Sequence, residues 1–235
     1  LVRIARWREE LREKGAKEVV AMPIFAATEY RISQGLAPGA KPTGTAVSVV
    51  VDTLYSSAQS LESVAHALSR LAPSWDPPVT VTWSAVAASA LVAESMPPVE
   101  FDPHLVKRPG LLTTPKEFGA ILEECARGLA RWRSSEGPAD VSGGIVMHQE
   151  GARFEARKVF IVISDFRDAG ALLVPLAGAQ VVIISTPSAA GESDQQDYFR
   201  RLDRWERILR QAGTAGVCRT QLRDLTPASL VDCLS

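Results

Sequence analysis

Three short apolar runs constrain most strongly what this chain can fold into. They occupy residues 47–51, 159–163 and 181–184 and consist largely of valine and isoleucine. Runs of β-branched residues with little alternation are typical of strands buried on both faces, as in a parallel sheet. They are far shorter than the roughly 20 apolar residues that span a bilayer. The sequence therefore predicts that these segments lie in the core of a folded domain and not in a membrane.

Helical periodicity separates the apolar runs. Residues 61–72, 118–132 and 198–209 carry apolar side chains three or four positions apart, which predicts amphipathic helices. Thr114 and Pro115 precede the second helix, where an N-cap and a first-turn proline are favoured. Alternation of apolar and polar residues predicts an edge strand over 79–84, with 85–92 as its partner. A terminal strand is predicted over 216–220. Strands alternating with helices predict an α/β fold with a mostly parallel central sheet and helices on both faces.

A stretch rich in glycine and proline over residues 34–44 predicts a boundary between two parts of the chain. Residues 1–44 are expected to form an N-terminal helix over 3–15, a strand over 19–25 and a linker. Residues 45–235 are expected to form the α/β domain. Within this domain, the turn residues and alternation of residues 137–158 predict a β-hairpin, which is a candidate contact surface for a partner.

The charge balance and the cysteines narrow the class of protein. The 235-residue chain has 26 Lys and Arg against 27 Asp and Glu and a formal net charge of −1, so no nucleic-acid partner is expected. Its three cysteines are widely spaced, which argues against a disulfide framework or a cysteine zinc site and predicts small buried side chains. We expect a reducing, cytoplasmic location, because the N-terminus has no apolar secretory core.

Carboxylates and hydroxyls follow two of the predicted buried strands. Asp52 ends the first strand, and Asp165 follows a later one, so both lie where α/β sheets bind ligands. Carboxylate and hydroxyl oxygens without His or Cys suit Mg²⁺ or Mn²⁺ and not zinc. An alternative interpretation is that both aspartates only cap helix N-termini or loop amides. The nearby hydroxyls belong to Thr53, Ser56, Ser57, Thr113 and Thr114.

The order of these residues over 45–235 resembles a von Willebrand factor A (vWA) domain, which is Rossmann-like. In that family, a first strand ends in Asp-x-Ser-x-Ser, a loop Thr precedes a later helix, and another Asp follows a later strand. Together they hold a divalent cation at a metal-ion-dependent adhesion site. The resemblance implies that Asp52, Ser56, Thr114 and Asp165 bind Mg²⁺ or Mn²⁺. Leu54 stands where the first Ser of the motif belongs, so the implied site is degenerate.

The resemblance also implies a function, that of a non-enzymatic protein–protein interaction module. In the family, the cation accepts a carboxylate from a protein partner as its last ligand. Intracellular bacterial members often work beside AAA ATPases or in multi-component systems, so such a partner is expected here. The candidate partner contacts are Thr53, Ser57, His148, Phe166 and Arg167.

Two other functions remain open from the sequence. One is a Rossmann-like metal-dependent phosphoesterase in which Asp52 and Asp165 hold Mg²⁺ for hydrolysis. The other is a metal-free structural scaffold. The sequence contains neither a phosphate-binding loop motif nor a serine nucleophile elbow, so the interaction module is the preferred prediction.

Overall fold

The apolar runs form the centre of a seven-stranded sheet. The computed structural model describes residues 44–53, 58–87, 94–104, 114–132, 139–151, 157–168, 175–186 and 192–234. The elements predicted for residues 1–44 lie outside the described residues, apart from Gly44. The strands are β1 (Thr45–Asp52), β2 (Val79–Val86), β3 (Glu94–Ser95), β4 (Val99–Phe101), β5 (Arg157–Ser164), β6 (Gln180–Ser185) and β7 (Gly216–Gln221).

The sheet has the strand order β3-β2-β1-β5-β6-β7, and β4 also pairs with β2. The five strands from β2 through β7 in this order run parallel to one another, whereas β3 and β4 are antiparallel to β2. The helices are α1 (Ala58–Leu71), α2 (Pro115–Arg131), α3 (Val141–Gly151), α4 (Glu192–Gln211) and α5 (Pro227–Leu234). The predicted α/β fold, with a mostly parallel sheet between helices, is confirmed.

The helices cover both faces of the sheet. Alternate side chains of a strand point to opposite faces, so each central strand contributes to two cores. Val47, Val49 and Val51 of β1 belong to a core shared with α1, α2 and α5. Val50 belongs to a second core shared with α3 and α4. Burial on both faces explains why the central strands are apolar at nearly every position. None of the described helices is both long and apolar enough to cross a membrane.

The prediction of an edge strand over residues 79–84 was wrong. β2 pairs with β1 along its full length and with the short strands β3 and β4 on its other side. Residues 85–86 extend β2 and do not start a partner strand. The partly exposed threonines of β2 produced the alternation that suggested an edge, and the covering strands come from residues 94–101, where no strand was predicted.

The start of α2 follows the local sequence rules. Thr114 is the N-cap, and its Oγ1 accepts a hydrogen bond from the Glu117 amide at 3.3 Å. The same hydroxyl donates to the Glu117 carboxylate at 2.7 Å. Pro115 occupies the first turn, where its missing N–H costs nothing. The predicted N-cap is therefore confirmed, and the Thr114 hydroxyl is committed to it.

The β-hairpin predicted over residues 137–158 was wrong, since residues 141–151 form helix α3. Its glycines allow close packing and not a turn. A Cβ atom added to Gly144 would lie 2.7 Å from Val86 Cγ1 and 2.9 Å from Val50 Cγ1, so only glycine lets the helix approach the sheet at this point. The Asp140 carboxylate accepts a hydrogen bond from the Gly143 amide at 2.7 Å and caps the helix.

The cysteine prediction was also wrong. Cys218 of β7 and Cys233 of α5 form a disulfide with their Cα atoms 5.5 Å apart. Helix α5 was not predicted, and it returns the chain to the sheet, where Gln180 and Arg157 donate hydrogen bonds to its last carbonyls. The odd number of cysteines concealed the pair. Cys125 is free and half-buried, and burial raises the pKa of its thiol, with a smaller contribution from Glu124.

Replacing Cys218 and Cys233 together by serine should lower the free energy of unfolding by about 3 kcal/mol, because the disulfide closes a loop with a sequence separation of 15 residues. Denaturant unfolding under oxidising and reducing conditions would measure this. Reduction should bring the wild-type midpoint to that of the double variant, and Cys125→Ser should respond to reduction like the wild type. Equal midpoints for the oxidised wild type and the double variant would contradict the prediction.

Candidate functional site

The carboxyl ends of β1 and β5 meet at the centre of the sheet. The two strands are parallel neighbours, with Val51 opposite Ile163. From β1 the chain passes to β2 on one side, and it later returns to β5 on the other side. Such a reversal of strand order opens a crevice beyond the strand ends, which is where α/β sheets bind ligands. We call Asp52, Ser164, Asp165 and Arg167 the strand-end site.

Asp52 and Ser164 join the two strands through their side chains. Asp52 is 1% exposed, and its Oδ2 accepts a hydrogen bond from Ser164 Oγ at 3.3 Å. A buried carboxylate requires such partners, because an isolated charge is costly to remove from water. The register thus aligns Asp52 with Ser164, one residue before Asp165. Sequence reasoning identified both aspartates but missed the serine between them, since the alignment of two strands cannot be read from either strand alone.

Asp165 is paired with the side chain two residues later. Its Oδ1 accepts a hydrogen bond from the Arg167 amide at 3.1 Å, and its Oδ2 lies 2.9 Å from Arg167 Nε. The second contact is an ion pair whose angle does not meet hydrogen-bond geometry. Asp165 is 2% exposed, whereas the Arg167 side chain is 45% exposed. The buried carboxylate therefore holds a positive charge at the surface of the site.

Phe166, between these two residues, has an unusual backbone conformation. Its φ angle is +57°, in the left-handed region that bulky residues avoid at a cost of about 1–3 kcal/mol. The ring is buried against Trp205, with centroids 5.6 Å apart, and the Phe166 amide donates to Ser164 Oγ at 3.0 Å. Phe166, a predicted partner contact, therefore has no exposed ring to offer; instead it fixes the turn that carries Asp165 and Arg167.

Asp168 fastens the end of this turn to two helices. Its carboxylate accepts hydrogen bonds from the amide and hydroxyl of Ser142, at the start of α3. Its backbone carbonyl accepts a hydrogen bond from Trp205 Nε1 on α4 at 3.2 Å. The segment from Asp165 to Asp168 is thus held at both ends. Neither Asp168 nor Ser142 was identified from the sequence, because the contact depends on a helix that was predicted as a hairpin.

Thr186 is a further residue at this edge that the sequence did not indicate. It directly follows β6, and its amide donates to the Ser164 carbonyl at 3.1 Å, which places it beside Asp165. Thr186 is buried, and its hydroxyl has no hydrogen-bond partner among the residues that the structure describes. The polar set at the strand ends therefore extends from β1 across β5 to β6.

The remaining predicted site residues are not all brought together. Ser56 and Ser57 lie outside the described residues, as does Leu54. Thr53 is buried at the end of β1. Thr114 is exposed and caps α2, where its hydroxyl is bonded to Glu117. Within the described ranges, no three His, Cys, Asp or Glu side chains are grouped so that they could hold a metal ion.

His148 lies on α3 and contacts the sheet. Its Nε2 is 2.9 Å from the Ser84 hydroxyl on β2, and that hydroxyl is 2.7 Å from Ser95 Oγ on β3. Burial lowers the pKa of the imidazole to about 4, so the ring is neutral at physiological pH. This predicted partner contact is therefore half-buried and joins α3 to the covering strands.

A shallow surface depression of about 300 Å³ lies between α1 and α2. Arg127 in its lining is 3.4 Å from Glu62 and 3.8 Å from Glu123. These charges satisfy one another at an exposed surface, where ion pairs contribute little. The strand-end site remains the better candidate, because its two carboxylates are buried at adjacent strand ends and are bonded to neighbouring side chains.

Comparisons with known proteins do not assign this chain to a family. No family model matches it, and no curated protein matches it. Two solved structures of the pilus adhesin SpaC from Lactobacillus rhamnosus GG, one of them in the open conformation, align with TM-scores of 0.34 and 0.33 at 11% identity. The alignments cover 55% of this chain and only 15% and 16% of the adhesin chains. Similarity at this level carries no argument about function.

The low pKa of His148 predicts a pH-dependent stability. The unfolded chain takes up this proton near pH 6.5, whereas the folded chain takes it up only near pH 4. Burial of neutral His148 therefore does not reduce the free energy of unfolding above pH 6.5. Between pH 6.5 and 4 the free energy of unfolding falls by up to about 3 kcal/mol, because the unfolded chain binds the proton more readily. His148→Gln should flatten this part of the curve, whereas His66→Gln, at an exposed position, should not. Denaturant unfolding across this pH range measures the difference, and parallel curves for His148→Gln and the wild type would refute the prediction.

Proposed function

We propose that this chain is a non-enzymatic protein–protein interaction module of the vWA type, acting in a multi-component bacterial assembly. Its strand-end site receives an acidic side chain of a protein partner, which is an AAA ATPase or another component of that assembly. The observation that carries the proposal is the meeting of Asp52, Ser164 and Asp165 at the adjacent carboxyl ends of β1 and β5. In vWA domains, which this chain resembles, the metal-ion-dependent adhesion site lies at this position.

The rigidity of the turn after β5 supports a binding role. The Phe166 amide, the Asp168 carboxylate and the Asp168 carbonyl are all hydrogen-bonded to neighbouring elements. A surface that is already ordered loses little conformational entropy when a partner binds. The strain at Phe166 fits the same interpretation, because strained backbone tends to occur where function requires a particular placement of side chains.

Arg167 provides the positive charge that an acidic partner requires. Its side chain is 45% exposed while it pairs with the buried Asp165. A guanidinium carries several N–H donors in one plane, so it can pair with a second carboxylate from another direction. Charge-assisted pairs of this kind are stronger than neutral hydrogen bonds. Arg167 was predicted as a partner contact, and its exposure supports that role.

A cation-bridged site is the second candidate. The oxygens of Asp52, Ser164 and Asp165 are of the kind that Mg²⁺ and Mn²⁺ prefer. However, Asp165 Oδ2 already faces Arg167 Nε at 2.9 Å, and the Thr114 hydroxyl is committed to Glu117. The described residues do not fit a bound cation while Arg167 pairs with Asp165. We therefore assign the positive charge to Arg167 and not to a metal.

The phosphoesterase alternative has less support. Hydrolysis requires a base to activate water and donors to hold the phosphate. The start of α3 lies beside the site, but its Ser142 amide is bonded to Asp168 and its Gly143 amide to Asp140. Turnover of simple phosphate esters with Mg²⁺ or Mn²⁺, lost in Asp52→Ala, would favour the enzyme over the interaction module.

Peptide selection can test the proposed contact directly. Peptides selected from a random display library on the wild-type protein should share an acidic residue, and their affinity for Arg167→Gln should fall by about tenfold or more, since a charge-assisted pair is lost. Fluorescence polarisation of labelled peptides measures this. Arg200→Gln, which removes an exposed arginine from α4, is the matched control and should bind as the wild type. Selected peptides without acidic residues, or equal binding to Arg167→Gln, would sink the proposal.

Metal titration distinguishes Arg167 from a bound divalent cation as the positive charge that the partner contacts. With metal-stripped protein, millimolar Mg²⁺ or Mn²⁺ should leave the unfolding midpoint of the wild type unchanged. Arg167→Gln releases Asp165 and should gain a metal-dependent rise, because a ligand that binds only the folded state stabilises it. The double change Arg167→Gln with Asp165→Ala should show none. A rise in the wild type that disappears in Asp165→Ala would instead establish the cation-bridged site.

A further inference from the structure

A second group of polar side chains lies beyond the ends of β6 and β7. Ser185 ends β6. Tyr198, in the second turn of α4, places its hydroxyl close to Ser185 and within electrostatic range of three arginines. These are Arg201 on α4, Arg219 on β7 and Arg223 in the turn that follows β7. The group lies at the carboxyl edge of the sheet, the edge at which α/β proteins bind ligands.

Two buried donors in this group lack partners. The Tyr198 hydroxyl and Arg201 Nε have no hydrogen-bond partner among the described residues. Tyr198 is only 4% exposed. The Ser185 side chain lies close to the Tyr198 hydroxyl, but the Ser185 hydroxyl donates to the Thr220 carbonyl, and the two hydroxyls are not aligned for a hydrogen bond with each other. Burial raises the pKa of Tyr198, which Ser185 and the arginines only partly offset. Buried donors without partners are rare because they lose hydration without compensation.

The three arginines differ in how their charges are compensated. Arg219 lies 2.7 Å from an Asp203 oxygen and 3.0 Å from a Glu206 oxygen. Arg223 is exposed and lies 3.6 Å from Asp224. Arg201 is half-buried, and no carboxylate pairs with it in the part of the chain that the structure describes. It is thus the one member of the group whose charge is partly removed from water without a counter-charge.

We infer that Tyr198 and Arg201 bind a phosphate-type oxyanion beyond the carboxyl end of β6. The hydroxyl and the guanidinium of these residues, three positions apart on one face of α4, can donate to different oxygens of the same group. Arg223 adds a longer-range positive charge. The anion satisfies the two unpartnered donors and the uncompensated charge at once.

A phosphoryl group fits this arrangement better than a carboxylate. The donors are the hydroxyl of Tyr198 and the guanidinium of Arg201, which belong to separate side chains. A tetrahedral group with three or more acceptor oxygens can meet all of them, whereas the two oxygens of a carboxylate are already matched by the guanidinium fork alone. The strand-end site differs in that its arginine is paired with Asp165.

Thermal unfolding with inorganic phosphate tests this site, with chloride added so that ionic strength stays constant. Phosphate should raise the wild-type midpoint in a saturable manner, and acetate should raise it much less. Arg201→Gln should abolish the rise, and Tyr198→Phe should weaken the apparent affinity by about tenfold. Arg207→Gln, which removes an exposed arginine from the same helix, should respond as the wild type.

Two outcomes would overturn the inference. An equal loss of response in Arg207→Gln and Arg201→Gln would show a general charge effect, and an equal response to acetate would exclude a phosphate-type ligand. Tyr198→Phe without phosphate provides a further check, since removing an unpartnered hydroxyl should not lower the unfolding midpoint. Arg167→Gln alters only the strand-end site and should keep the phosphate response, so failure of the proposed function would leave this result unaffected.

Discussion

The parallel pairing of β1 with β2 on one side and β5 on the other is the constraint on which the rest of the structure depends. Because both faces of β1 are covered by helices, nearly all of its interior positions hold apolar residues, and its backbone groups pair within the sheet. Polar chemistry is left to the ends of the strands. The same pairing fixes the register that brings Ser164 to Asp52, so the geometry of the site is a consequence of how the core packs.

The turn after β5 shows how the core supports the strand-end site. Phe166 adopts its left-handed conformation while its ring packs against Trp205, and Trp205 also donates to the carbonyl of Asp168. One core tryptophan therefore stabilises both the strained residue and the end of the turn. Asp168 in turn caps α3, whose close approach to the sheet requires Gly144. A change in any of these contacts is expected to move Arg167, although none of these side chains needs to touch a ligand.

The sequence was sufficient for the parts of the fold that depend on local patterns. Apolar runs identified β1, β5 and β6, and helical spacing identified α1, α2 and α4. The failures have a common cause, which is that they depend on contacts distant in sequence. Gly143 and Gly144 are typical of turns until Val50 and Val86 are placed beneath them, and Cys218 meets Cys233 only because α5 folds back. The covering strands β3 and β4 are too short to show a pattern.

The candidate site was predictable to the same extent. Asp52 and Asp165 could be found because strand ends follow from the apolar runs, whereas Ser164 and Thr186 require the register of neighbouring strands. Asp168 requires the helix at Ser142, which was predicted as a hairpin. The pairing of Asp165 with Arg167 also changes the chemistry that the motif alone suggested. A cation site needs carboxylates whose charge is available to a metal, and here a guanidinium already lies against one of them.

Arg167 and Arg201, at one edge of the sheet, differ in how their charges are compensated. Arg167 lies against a buried carboxylate and is exposed, so the cost of burying Asp165 is offset within the protein, and the arginine is held in one orientation. Arg201 is half-buried without a counter-charge among the described residues. A paired arginine is preorganised and adds a contact to a surface, whereas an unpaired one creates a local need for an anion. The first arrangement suits the proposed recognition of a protein partner, and the second suits the proposed binding of a phosphate-type anion, so the two proposals involve different residues at one sheet edge.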